Sequence, residues 1–550
     1  MTEINNINKK RSKTIDYKKF AKNSFFSFLN SYSGFFLSIL TSFLIARLIS
    51  QEVWGFLVIT LSYIAFFQLF LNFLPPSLGL SYNYFIPKYQ ALNQNKTLKN
   101  FLINSIIIRI SFTLIVYLVS LVVYLLFTHL FIASLNEYYP LFLILSPIII
   151  INGINYILND VDRAFNKFNV VFILSIVYYM VNIGGLIFIL FIIKKVTVYL
   201  IALVILISYI IPFVINCFIL IRIIFKIKIG EDVGQKLSKT FKKLYLYGFH
   251  LSVKTYLDGF YRQYRIISIG LFDTSEAALG FSISNNYNNV TFEAVNSFNR
   301  PLTISFSDLY AKKKFDKILK IYNVALRYSV FLILLITGLL YFTSNFFLFL
   351  VYGKSYLIYS VILKLMVIAI SFNVLSPFFF SFLRTSSKIK YLIPISLVNT
   401  FIRLILFTIG VIFFGLYGAI LLGIFLANLI VFILLIILNK KILNIQLKLF
   451  KLTLQYFSFF ISLGLTLILE NLFFADLNIY IISNLNLMFF KHINLISISF
   501  FVISFLFLNL IFNIFSKKDL DYFAAIFDRD ARSHKIIRKI TYLLSKLSFR

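Results

Sequence analysis

The chain has 550 residues, of which 60% are hydrophobic, 19% aromatic and 13% charged, and its mean hydropathy is +0.90. That composition excludes an ordinary soluble domain and reads as a polytopic membrane protein. A net charge of +33 would suggest a nucleic-acid partner in a soluble chain, so its distribution along the sequence decides what it means.

Residues 1–24 form a polar, basic segment. The apolar stretch that follows is too long for a signal peptide and lacks a small-residue cleavage site, so it reads as a retained first helix. A helix crossing ~30 Å of hydrocarbon needs about 20 apolar residues. By that rule fourteen segments are predicted: 25–46, 56–80, 101–127, 139–158, 169–193, 198–221, 246–271, 279–306, 328–351, 357–383, 391–414, 417–438, 452–474 and 494–516. The segments between them are too short for a soluble catalytic or nucleotide-binding domain. With the N-terminus inside, 41 of the 53 Lys and Arg residues fall in inside segments and five in outside loops. This is the positive-inside pattern, so the basicity reports topology in a cell membrane and places both termini in the cytoplasm. No nucleic-acid partner is implied.

The seventh and eighth segments break the apolar pattern. His250, Lys254, Asp258 and Arg262 follow at steps of four, with Arg265 three further on, so they lie near one helical face. Four formal charges facing lipid would cost on the order of 10 kcal/mol. They must face one another or water, and an intramembrane cluster of this kind is a candidate functional site. The eighth segment carries a second polar stripe of Asn285, Asn289, Glu293, Asn296 and Arg300. Charge on the seventh sums to +2, which suits an anion, and guanidinium groups bind phosphate oxygens bidentately. Asp258 is within one turn of both Lys254 and Arg262, so a structural bridge and a ligand contact are both open for these residues. Arg109, Lys364 and Arg403 stand alone in apolar segments.

Other signals have plain readings. One cysteine, Cys217, excludes an intrachain disulfide, and the four histidines show no metal-ligand spacing, so no metal or cofactor is expected. Asp160-Val161-Asp162 and Asp528-Arg529-Asp530 match the Asp-x-Asp of glycosyltransferases but read as solvated loop charges. Pro147, Pro212, Pro377 and Pro394 fall inside predicted helices, where kinks are ordinary. The last residues, from Ile536, read as an amphipathic helix on the cytoplasmic leaflet.

The chain repeats. Ser50-Gln51-Glu52-Val53-Trp54-Gly55-Phe56 after the first segment parallels Thr274-Ser275-Glu276-Ala277-Ala278-Leu279-Gly280-Phe281 after the seventh. Pro87-Lys88-Tyr89-Gln90-Ala91 likewise parallels Asp308-Leu309-Tyr310-Ala311. Six segments separate the copies, so both halves share one orientation, the parallel-repeat plan of transporters. The predicted organisation is a basic N-terminus (1–24), an N-lobe (25–221), a cytoplasmic connector (222–245), a C-lobe (246–438), two appended helices (439–516) and a basic tail (517–550).

Four motifs carry a resemblance. They are Ala46-Arg47-Leu48-Ile49-Ser50 running to Gly55, Phe85-Ile86-Pro87-Lys88-Tyr89, Val351-Tyr352-Gly353-Lys354-Ser355-Tyr356, and Phe414-Gly415-Leu416-Tyr417-Gly418-Ala419. Their order resembles that of the polysaccharide-export flippases of the multidrug/oligosaccharidyl-lipid/polysaccharide (MOP) exporter superfamily, although Tyr84 stands where those proteins carry arginine. The resemblance implies an all-α fold of two six-helix lobes around a central cavity, lined by helices one, two, seven and eight. It implies a non-enzyme that moves a polyprenyl pyrophosphate-linked oligosaccharide from the inner to the outer leaflet by alternating access. Its partners would be that substrate, membrane lipids and other polysaccharide-assembly proteins. Arg262 and Arg265 would then hold pyrophosphate, with Lys254, Asp258 and Arg47 beside them and Asn285, Asn289 and Glu293 tuning the cavity. A multidrug exporter of the same superfamily, or an integral-membrane glycosyltransferase or polymerase, are the alternatives.

The topology is directly testable. A fluorescent protein fused after Arg550 is expected to fold and emit inside the cell, and alkaline phosphatase at the same point to stay inactive. Active phosphatase there would reverse the orientation.

Overall fold

The computed structural model describes residues 17–71, 78–131, 139–193, 196–227, 236–289, 315–385, 389–474 and 494–512, with Thr291, Phe306 and Ile514 besides. All regular structure among them is helical, as hydrocarbon requires when no water can satisfy backbone groups. Contacts divide the chain into two compact units, Met1–Leu279 and Gly280–Arg550.

Nine helices among the described residues are long and apolar enough to cross a bilayer, which makes this a multi-pass membrane protein. One of them, Leu392–Leu443, holds both the eleventh and twelfth predicted segments, because the turn at Gly415 joins two helices. The first and fourteenth segments contain the shorter apolar helices Ser33–Leu48 and Leu495–Ile511. The seventh carries too many charges to count as apolar, and most of the eighth beyond residue 289 lies outside the described residues. The amphipathic tail, Asp528 to Asp530 and the Asp308 repeat motif lie outside them too.

The first unit contains α1 (Tyr17–Leu48), α2 (Gln51–Phe70), α3 (Leu78–Ala91), α4 (Asn95–Phe131), α5 (Tyr139–Leu145), α6 (Ile148–Ala164), α7 (Phe168–Ile192), α8 (Val198–Lys226) and α9 (Leu237–Phe272). α1 packs on α7, α7 on α8, and α6 meets α3, α4 and α8, while α9 lies along α2. The second unit begins with α10 (residues 275–289, whose first turn belongs to the first unit). It continues with α11 (Phe315–Val351), α12 (Ser360–Ser371), α13 (Leu375–Thr385), α14 (Leu392–Ile420), α15 (Ala427–Leu438), α16 (Leu449–Leu469) and α17 (Leu495–Ile511). Its interior is a wall of aromatic and branched side chains including Phe306, Tyr322, Phe378, Phe382, Phe459 and Phe501.

Helix ends follow local chemistry. Ser50 caps α2, its hydroxyl accepting from the Val53 N–H at 3.4 Å, and Thr274 caps α10 by accepting from Ala277 at 3.0 Å. These caps occupy matching places in the sequence repeat. Each of these helices also carries a tyrosine thirteen residues past its cap: Tyr63 donates to the Ser120 carbonyl at 3.2 Å, and Tyr287 to the Leu340 carbonyl at 3.3 Å. Gly353 (φ 102°) ends α11 and Gly415 (φ 59°) makes the turn inside α14, the two positive-φ glycines among the described residues and both members of the quoted motifs.

Two expectations need correction. Of the four prolines, only Pro212 sits in a helix interior. Pro147 precedes α6 and splits the predicted fourth segment into α5 and α6, while Pro377 and Pro394 fall in the first turns of α13 and α14, where the missing N–H costs nothing. Asp160 and Asp162 are not in a solvated loop. They occupy the last turn of α6; Asp160 pairs with Arg163 at 3.1 Å, and Asp162 is only 1% exposed.

Helices in lipid gain little from apolar burial, so close approach at small residues carries much of the packing. α2 and α9 run antiparallel with such a seam. A Cβ at Gly259 would come 2.6 Å from Leu69 Cδ2, one at Gly270 2.5 Å from Ile59 Cδ1, and one at Gly55 would collide with the Ser275 carbonyl. The Leu and Ile tips can yield, but the Ser275 backbone cannot. Gly55→Val is therefore expected to cost about 1–3 kcal/mol and lower the unfolding temperature in detergent, whereas Gly184→Ala, which meets nothing, is expected to leave it unchanged. Equal melting of the two variants would show that the seam does not hold the pair.

Candidate substrate site

α9 positions the charged stripe. Its length carries it through the seventh predicted segment, and its small residues and rings bind it to α2: Phe260 meets Phe66 at 5.4 Å between ring centroids, and Tyr256 meets Phe70 at 5.8 Å. That packing face turns Ser252, Val253, Gly259, Tyr261 and Gln263 inward, all buried, and leaves Asp258 and Arg262 exposed. Lys254 and Arg265 are half-buried on the flank of the same stripe.

Two charges of the stripe meet. Lys254 Nζ meets Asp258 Oδ2 at 2.5 Å, with the lysine side chain 14% exposed and the carboxylate 56%. One turn of helix separates the two residues, so the contact needs no movement of the backbone. It cancels one charge of each sign, so the stripe from Lys254 to Arg265 carries a net +2 on Arg262 and Arg265. Arg265 lays its guanidinium over the Tyr261 ring, 4.9 Å from the centroid, which orients it by cation–π attraction. Arg262 is exposed.

Arg47, near the end of α1, is exposed with its guanidinium 4.3 Å above the Phe43 ring. In the second unit, α10 leaves Asn285 half-buried and Asn289 exposed. It buries Ser284 and Asn288, and among the described residues the Asn288 amide meets no hydrogen-bond partner. Sequence periodicity favoured the stripe through Asn285 and Asn289; Asn288 is one step off that register and could have been found only by testing the neighbouring face. Glu293, Asn296, Arg300 and the side chain of His250 lie outside the described residues.

The solitary arginines have partners that spacing could not reveal. Arg109, 5% exposed, donates from Nε to the Gly153 carbonyl at 2.9 Å and from Nη1 to the Leu71 carbonyl at the end of α2. Helix C-termini carry partial negative charge and orphan carbonyls, which is what a buried guanidinium needs. Arg403 donates to Asn373 Oδ1 at 3.0 Å, and Lys364 sits 5.3 Å from the Tyr341 ring centroid. Among the described residues no group of His, Cys, Asp and Glu could hold a metal ion.

No family model matches the sequence, and no curated protein does. Solved structures are similar. The lipid II flippase MurJ, in an inward closed conformation, gives a TM-score of 0.62 at 18% identity, covering 89% of this chain and 98% of that one. An inward-facing multidrug resistance MATE family transporter of the MOP superfamily gives 0.60 at 12% identity, over 72% and 93%. A MATE transporter of Vibrio cholerae gives 0.55 at 15%, over 78% and 97%. The fold is therefore the one that MurJ and the MATE transporters share.

The two kinds of charge contact should differ in strength. Asp258→Asn removes a bridge whose carboxylate is more than half exposed, and is expected to cost under about 1 kcal/mol. Arg109→Leu strips buried carbonyls of a charged donor and is expected to cost about 3 kcal/mol. Thermal unfolding in one detergent compares them directly; equal losses would mean that the Lys254 bridge is not screened by solvent.

Proposed function

We propose that this protein is a flippase that carries a polyprenyl pyrophosphate-linked oligosaccharide from the inner to the outer leaflet, in the assembly of a cell-surface polysaccharide. The observation that carries the reading is the net +2 of the stripe from Lys254 to Arg265 on α9, in which Lys254 and Asp258 neutralise each other. A pyrophosphate is a multiply charged anion whose oxygens match two guanidinium forks. The lipid II flippase among the solved structures with this fold supports a lipid-linked cargo.

In this reading Arg262 takes the pyrophosphate first, because its exposure lets a headgroup reach it. Arg265, held by Tyr261, completes the clamp, and Lys254 moves between Asp258 and the substrate as the anion arrives. Arg47 assists from α1, and Asn285, Asn289 and Glu293 of the eighth predicted segment contact sugar or tune the polarity around it. No bond is made or broken, so the chain is a carrier and not an enzyme.

A multidrug exporter shares the fold, but a carrier of cationic drugs needs acidic surface, and the charge on α9 has the opposite sign. Reconstituted vesicles separate the two. Wild type is expected to move a polyprenyl pyrophosphate-linked sugar to the opposite leaflet, and Arg262→Ala with Arg265→Ala to lose at least about tenfold in rate, the loss of about 1.4 kcal/mol of binding. Undiminished flipping by the double variant would remove the arginines from the site.

A further inference from the structure

The first unit contains a second polar feature that the charged stripe does not use. A cavity of about 230 Å³ opens among α1, α6, α7 and α8. Its size falls below the ~300–1,000 Å³ of pockets that hold drug-sized ligands and suits a single ring. Its charge is unusual for an opening inside a membrane bundle. Among the described lining residues Arg163 alone is charged, and it is held by Asp160 at 3.1 Å. Among the described residues no carboxylate lines the space to hold a cation, and no second cation is there to assist with a phosphate.

Amides supply most of the polarity. Asn152, Asn155 and Asn159 project from one face of α6, at spacings of three and four residues. Behind them Asn216 of α8, 1% exposed, donates to Asn155 Oδ1 at 2.9 Å and to Asn159 Oδ1 at 3.0 Å. With their acceptor oxygens occupied, these two side chains have their NH2 groups left to donate. Asn30 of α1 brings the complement: its Oδ1 is buried and accepts from nothing among the described residues. A ligand here must accept and donate without carrying charge. Hydroxyl groups do both.

Aromatic rings complete the lining. Tyr178 and Tyr209 sit 4.8 Å apart, and Tyr178 and Tyr179 meet edge to face at 5.0 Å. Such faces cover the C–H side of a flat ring while the amides reach its edge. Tyr156 also lines the cavity.

We infer that this cavity is a saccharide subsite that seats one neutral sugar ring beside the phosphate held at Arg262. The placing beside phosphate rests on the flippase reading, whereas the sugar itself follows from the amides and rings of the cavity. A pyrophosphate-linked glycan attaches its first sugar directly to the phosphate, so the two sites would grip neighbouring parts of one molecule. Asn155, Asn159 and Asn30 would bind the ring hydroxyls, and Tyr178 would stack on the ring.

Saturation-transfer NMR on the full chain in nanodiscs tests this, with free glucose and N-acetylglucosamine as probes. Wild type is expected to transfer saturation to the ring protons of at least one probe. Ser175→Phe, which fills the cavity, should abolish that signal. Asn30→Leu, which breaks no hydrogen bond that the protein itself makes at Oδ1, should weaken binding about fivefold, since one hydrogen bond is worth about 1 kcal/mol. Should Ser175→Phe fail to fold, Asn30→Leu alone decides. Arg262→Ala with Arg265→Ala should keep the sugar signal even where flipping is lost, so failure of the arginine site and failure of the cavity give different results. No transfer in wild type, transfer unchanged by Asn30→Leu, or displacement of the sugar by tetraphenylphosphonium would overturn the inference.

Discussion

A cation inside a bilayer is tolerable only where the protein provides its acceptors, and the arginines of this chain are placed by that constraint. Arg109 finds two backbone carbonyls, one at the end of α2 and one in α6, and so ties three helices at a single point. Arg327 does the same in the second unit. It is 3% exposed, donates to the Asn323 carbonyl at 3.3 Å and to the Ile514 carbonyl at 3.1 Å, and its own carbonyl accepts from Gln455 at 3.0 Å. Both guanidiniums therefore act on backbone groups near helix ends, where orphan carbonyls are available. The helices α16 and α17 are fastened to α11 through that contact.

Lys254 and Asp258 satisfy each other along one helix, and Arg403 takes the amide of Asn373, so neither needs a ligand to be stable. The asparagine cavity follows the same logic with neutral groups. Asn216 is spent on orienting two other asparagines, and the groups it leaves unused face a space of ring size. Buried polar groups that satisfy their neighbours fix geometry; those left over define chemistry.

Much of the fold was legible because lipid simplifies the code. Apolar runs of bilayer length are helices with few exceptions, and ten of the fourteen predicted segments fall in the nine long apolar helices described. Turn chemistry was equally plain at Gly353 and Gly415, whose backbone angles demand glycine. The prolines were misread because sequence alone does not say whether a proline starts a helix or interrupts one. Asp162 was misread because a two-carboxylate motif next to basic residues looks solvated until α6 is seen to continue through it. The charged stripe on α9 was visible from its period. The partners of Arg109 were not, since backbone carbonyls carry no sequence signature, and the cavity asparagines were hidden because α6, α1 and α8 come from distant parts of the chain.

The tyrosine bonds of α2 and α10 bear on ancestry. A hydrogen bond that appears at matching places in two copies of a repeat belongs to the unit that was copied, before either copy specialised. Tyr63 and Tyr287, with the Ser50 and Thr274 caps ahead of them, are thus the inherited frame. The arginines of α9 and the amides of α6 lie outside the two stretches in which the copies match. Chemistry acquired after duplication shows as disagreement between the copies, so comparing a protein with itself can locate a site when no relative is close enough to compare it with.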